Sequence, residues 1–165
     1  MAAFGSFTGI LASIDEFYAG EAAAAGCYKL FSVQNAEGNT VNFVVTPATY
    51  FVDHVMMTVG NVVTGFYDAN APVPLIYPPQ YQAVVMARVA QNQNVKADFF
   101  DSRLISSDGT LRLIIGPYTQ ILLENGQAFQ GNPANRNLIS IYGAATMSIP
   151  AQTVPYRLIV MCGMT

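Results

Sequence analysis

Residues 60–87 read GNVVTGFYDANAPVPLIYPPQYQAVVMA, and residues 135–162 read NRNLISIYGAATMSIPAQTVPYRLIVMC. Set side by side without a gap, at an offset of 75, Tyr67 meets Tyr142, Tyr81 meets Tyr156, and Val84-Val85-Met86 meets Ile159-Val160-Met161. A second pair of stretches lines up at an offset of 70: Thr40–Pro47, TVNFVVTP, against Thr110–Pro117, TLRLIIGP. Similarity at a fixed spacing marks a repeated structural unit. The chain therefore reads as a tandem duplication, residues 1–90 and 91–165. Five extra residues in the loop around Asn125-Gly126 and Gly131-Asn132-Pro133 account for the change of offset, and loops tolerate insertions.

Periodicity gives the class of the unit. Val41, Phe43 and Val45 fall on one face of a strand, as do Leu111, Leu113 and Ile115, while Asn42 and Arg112 take the other. A period of two is that of a strand. Phe7 to Phe17 reads as a long first strand with a bend at Gly9. Tyr18 to Gly26, without a counterpart in the second half, is either a helical turn favoured by its alanines or a small-residue loop. Cys27–Val33 and Thr40–Val45 form a hairpin about Asn35–Asn39, echoed by a turn at Ser106-Ser107-Asp108-Gly109. Val62–Tyr67 and Leu138–Tyr142 follow. The closing strands, Ala83–Ala87 and Leu158–Cys162, are apolar throughout, which predicts cover on both faces from the sister repeat or another subunit. The expected fold is all-β, a tandem duplication of a five-stranded OB-like barrel or β-sandwich unit.

Composition narrows the function. Hydrophobic residues make up 52% of the chain and charged residues 10%, against roughly 25% charged in an ordinary domain. Seven basic residues are scattered from Lys29 to Arg157 and net charge is −3, so the cationic footprint of a nucleic-acid binder is missing. No apolar run reaches the ~18 residues of a membrane span. The first basic residue is Lys29, so mildly apolar Met1–Leu11 lacks the charged start of a secretory signal. Cys27 and Cys162 leave two buried thiols and one disulfide equally open.

Residues that could carry chemistry have plainer explanations. His54, the one histidine, follows Asp53, but neighbours on a strand point to opposite faces, and no serine or cysteine motif accompanies it. Asp98, Asp101 and Asp108 fit no calcium loop, and Asp108-Gly109 suits a turn. No Cys or His pair has zinc-ligand spacing. Tyr28, Phe31, Tyr67, Tyr77, Tyr81, Tyr142 and Tyr156 would need a cationic groove to serve as a base-stacking platform. No cofactor and no catalytic residue is expected, and the chain reads as a non-enzyme.

The most unusual stretch is Tyr67–Tyr81, YDANAPVPLIYPPQY, whose four prolines hold the backbone extended and remove hydrogen-bond donors. It is either a preorganised contact surface or a stiff crossover like Ile149–Tyr156. With Gly60–Phe66 and Ala83-Val84-Val85, its Pro-Leu-Ile-Tyr-Pro-Pro-Gln-Tyr core resembles a family of surface-associated β-modules from clostridia and related Firmicutes. Those modules often adjoin copper amine oxidase N-terminal-like domains. The resemblance covers most of the chain and implies a binding or scaffolding module at the cell surface or outside the cell, with no catalytic residue to transfer. The expected function is structural: self-assembly into an extracellular or cell-surface filament through apolar strand faces and the N-terminal segment. The contact residues are Met1, Ala2, Ala3, Phe4, Leu75, Ile76, Tyr77, Pro78, Pro79 and Tyr81, with Met1–Phe7 free to add a strand to a neighbour. The partner is the chain itself, as homo-oligomer or polymer, with no nucleic acid. The alternative is a monomeric glycan- or peptide-binding module of the cell surface.

Overall fold

A computed structural model describes residues 3–163. It is all-β: thirteen strands, two 3-10 turns and, among the described residues, no α-helix. The chain forms two compact units, one from Gly5 to Val89 and one that gathers the chain from Ala90 onward together with residues 3 and 4.

The first unit holds β1 (Phe4–Glu16), β2 (Lys29–Gln34), β3 (Thr40–Val45), β4 (Tyr50–Phe51), β5 (Val62–Asp68), β6 (Gln80–Gln82) and β7 (Val85–Arg88), in the sheet order β4-β7-β5-β1-β2-β3-β6. β1, β2 and β3 form an antiparallel meander whose second hairpin turns at Asn35–Asn39. β1 starts earlier than its apolar pattern suggests, and its pairing with β2 is irregular between Leu11 and Ser13. Between the first two strands, Ala22–Ala24 make a 3-10 turn. β6 then pairs parallel with β3, and β7 pairs antiparallel with β5. Ala83 donates its N–H to Val44 (2.9 Å) and Val84 to Phe66 (2.8 Å), so a single stretch crosses from one strand to the other. The strand order thereby returns on itself.

The second unit follows the same order with less regular strands. It holds β8 (Asn94–Phe100), β9 (Leu111–Leu113), β10 (Gln120–Leu123), β11 (Arg136–Tyr142), β12 (Ala151–Thr153) and β13 (Arg157–Val160), as the sheets β10-β13-β11-β8 and β12-β9. Bridges Phe100–Ser106 and Ile105–Arg112 put residues 104–106 where β2 stands in the first unit. β12 lies parallel to β9 and β13 antiparallel to β11. Thr49 and Thr119 do the same work ahead of β4 and β10, each hydroxyl bonding the carbonyl just before the closing strand, Ala83 and Pro155, at 2.8 Å.

The ladders correct the gapless offset. Phe66 faces Val85 and Ile141 faces Arg157, so the closing strands correspond at an offset of 72 while β5 and β11 correspond at 75. The first crossover is thus three residues longer. Tyr81 and Tyr156 are not equivalents: the backbone N–H of Tyr156 bonds Ile141 as that of Val84 bonds Phe66. Each crossover carries one cis X-Pro bond, Tyr77–Pro78 and Ile149–Pro150.

Each unit has its own core. The first gathers Leu11, Phe31, Val33, Val41, Phe43, Val45, Val63 and Met86, with Tyr67 and Tyr81 at its margin. The second gathers Phe100, Leu111, Leu113, Leu138, Leu158 and Val160. Each such side chain contributes about 1.5–3 kcal/mol of burial. Val41, Phe43 and Val45 point inward as their alternation predicts, and so do Leu111 and Leu113, but Ile115 is 43% exposed because β9 ends at Leu113. Val85, Met86 and Ala87, like Leu158, Ile159 and Val160, are buried within the single chain. No further subunit is needed to cover the closing strands.

Candidate interaction surface

The crossover from β5 to β6 starts with a turn in which Asp68 accepts the backbone N–H groups of Asn70 (2.9 Å, through its carboxylate) and Ala71 (3.1 Å, through its carbonyl). From Pro72 to Pro79 no regular element forms, as expected where prolines remove donors. The chain rejoins the sheet when Asn42 donates its N–H to the Pro79 carbonyl at 2.8 Å. Between those anchors Leu75 is 101% exposed, Tyr77 85% and Ile76 53%.

Of the sequence-predicted contact residues, Leu75, Ile76 and Tyr77 thus lie at the surface, and Pro78 and Pro79 are half-buried. Tyr81 is turned to the core instead, its ring stacked on Tyr67 with centroids 3.8 Å apart and planes 4° apart. Burial, and then the Tyr81 hydroxyl beside it, raise the Tyr67 pKa above the ordinary phenol value. Ala3 and Phe4 are half-buried, and Phe4 opens β1. Met1 and Ala2 lie outside the described residues.

The shorter crossover from β11 to β12 folds on its own hydroxyls. The Thr146 and Ser148 hydroxyls bond each other (2.7 Å), Ser148 donates to the Pro150 carbonyl (2.9 Å), and the Thr153 hydroxyl donates to the Ala144 carbonyl (2.7 Å). Met147 and Ile149, at 101% and 94%, stand exposed. Sequence reasoning passed these two over as contact residues, although they lie in the proline-bearing crossover from β11 to β12 as Leu75 and Tyr77 lie in that from β5 to β6. Beside this loop lies an open groove of about 530 Å³, walled by Ile114, Val154 and Tyr156 and by residues 143–146, 152 and 153. Gly143 makes the groove's geometry possible, since a Cβ there would stand 2.1 Å from the Tyr156 hydroxyl. The Gly143 carbonyl accepts from the Asn94 amide at 2.9 Å, and Tyr156 donates to the Asn92 carbonyl at 3.3 Å.

The remaining candidates resolve into structure. Asp53 and His54 sit in a 3-10 turn, not a strand, both with positive φ, and the His54 ring meets Tyr50 edge-on at 5.9 Å. Asp98 accepts Ser107 and the Phe99 N–H, Asp101 accepts the N–H groups of Arg103 and Ile105, and Asp108 accepts Lys96, Ser106 and Thr110. Burial works to raise the Asp108 pKa, but those bonds outweigh it and hold the carboxyl well below the usual range. Among the described residues no group of three or more His, Cys, Asp or Glu is placed to hold a metal, and no helix is long and apolar enough to cross a membrane. Cys27 and Cys162 are both exposed free thiols, neither the buried pair nor the disulfide. Phe31 belongs to the core, against Phe51 at 6.1 Å, so the aromatic residues form no common platform. Compared with protein-family models, with curated proteins and with solved structures, the chain matches none.

Proposed function

We propose that this chain is a non-enzymatic structural protein that self-associates, and that its two units are duplicated copies of an OB-like five-stranded barrel. Strand order supports the fold reading: in residues 4–88 a meander of three is followed by a final stretch parallel to β3 and antiparallel to β5, and in 94–160 the final stretch is likewise parallel to β9 and antiparallel to β11. In OB folds the loop before the last strand is one that contacts ligands, and here that loop is the crossover.

The observation that carries the functional reading is the exposure of Leu75 and Tyr77 in one crossover and of Met147 and Ile149 in the other. Clustered apolar side chains in solvent mark a contact with another macromolecule. A chain with 17 charged residues in 165 has little else to keep copies apart. We place the assembly outside the cell or on its surface, as the resemblance to surface-associated modules would imply. A sizing column tests the reading: at tens of micromolar the protein is expected to elute far above its 17.8 kDa, and elution at that mass would overturn it.

The groove beside Tyr156 favours a second reading, a monomeric module for a glycan or peptide. Saturable binding to a chain that stays monomeric is its signature.

A further inference from the structure

We infer that the groove of the second unit receives the Val73–Tyr77 segment of another copy of this chain. The inference rests on the self-association proposed above and names its two surfaces. The segment bears Leu75, Ile76 and Tyr77 in solvent, and nothing in its own chain covers Leu75. Pro72, Pro74, Pro78 and Pro79 restrict its backbone, with bends at Leu75 and Tyr77, and a restricted segment loses less entropy on docking. The groove offers Ile114 and Val154 with Tyr156, whose residue is 51% exposed.

Charge narrows the occupant further. No charged residue lies between Asp68 and Arg88, which bound the segment, nor between Arg136 and Arg157, which bound most of the groove. The nearest charge along β9, Arg112, pairs in register with groove-lining Gln152, and residues 72–79 bring no charge of their own to desolvate. The groove's volume of about 530 Å³ is that of a ligand-sized cleft, ~300–1,000 Å³. Each copy carries one segment and one groove, so the contact is heterologous and passes from copy to copy.

The test uses two variants of the full chain, Leu75→Glu and Ala145→Glu, both at exposed positions outside either core. Each is expected to raise the concentration needed for assembly by about 100-fold or more, as loss of a central interface residue does. Circular dichroism matching the parent checks that each folds, and Tyr77→Glu and Thr146→Glu replace either variant that does not. Mixed one to one, the two charged variants retain one intact contact per pair, so a dimer should form that grows no further. Variants that assemble as the parent does would overturn the inference while leaving self-association standing, with the groove open to a glycan. Monomeric variants whose mixture stays monomeric would overturn it too. A parent chain that is monomeric overturns both.

Discussion

A methyl group at Gly65 would stand 2.5 Å from the tip of the Phe43 ring, which is fully buried beneath β5. Gly65→Ala must therefore displace an aromatic ring in a filled core, and the expected cost is about 1–3 kcal/mol, read as a lower urea midpoint. Ser140 occupies the corresponding place on β11, where its hydroxyl is buried and has no hydrogen-bond partner among the described residues. Ser140→Ala should leave stability unchanged or raise it by about 1 kcal/mol, because it removes an unpaired polar group; a loss as large as that of Gly65→Ala would show that the hydroxyl has a partner. Asp108 is the residue whose titration matters. Its pKa is lowered in the fold, so its contribution is present above the unfolded carboxyl value near ~4 and drains away as pH falls below it. Asp108→Asn is expected to cost about 1 kcal/mol at neutral pH, allowing for its solvent exposure, with the deficit narrowing steadily below about pH 4. Thermal melts of both proteins from neutral pH to ~2 check this; a deficit that is constant with pH would assign it to lost packing.

The two crossovers join equivalent strands with chains that differ by three residues. Removing Val73–Leu75 should make the longer one match the shorter, and loop length itself carries a small entropic term, ~0.6 kcal/mol per doubling. The expected variant melts within a few degrees of the parent but no longer assembles; a chain that fails to fold would show that the three residues brace the unit. Deleting Met1–Ser6 is a less clean probe, because Phe4, Gly5 and Ser6 belong to β1. It is expected to lower stability as well as assembly. Part of this was legible in the sequence: the inward residues of β3 and the turn at Asn35–Asn39 follow from alternation and turn chemistry. The register of the closing strands was not. A strand apolar at every position matches another at any shift, so aligning Tyr81 with Tyr156 looked as good as the pairing of Val84 with Tyr156 to which the backbone bonds point. Only the partners across the ladder distinguish them. The groove also stayed hidden, since it arises where Tyr156, Val154 and the Gly143 backbone meet, and no motif records such a meeting.

At the scale of the whole chain, net charge of −3 and seven dispersed basic residues give a field that repels polyanions on average. Titration with single-stranded DNA or RNA at ~0.15 M salt should detect no binding, and micromolar binding with a steep salt dependence would contradict that. The way each unit is closed has a consequence for how the protein comes into being. β7 lies between β4 and β5, and β13 between β10 and β11, so in both units a central strand is the last to be made. Emerging from the ribosome, residues 4–88 can complete their hydrogen bonding while synthesis continues, but the second unit must wait for Val160. A chain that stopped at Pro155, ahead of β13, would have a complete first unit and a second unit open along Leu138–Ile141. Cellular quality control would then meet a completed first unit joined to an exposed apolar seam.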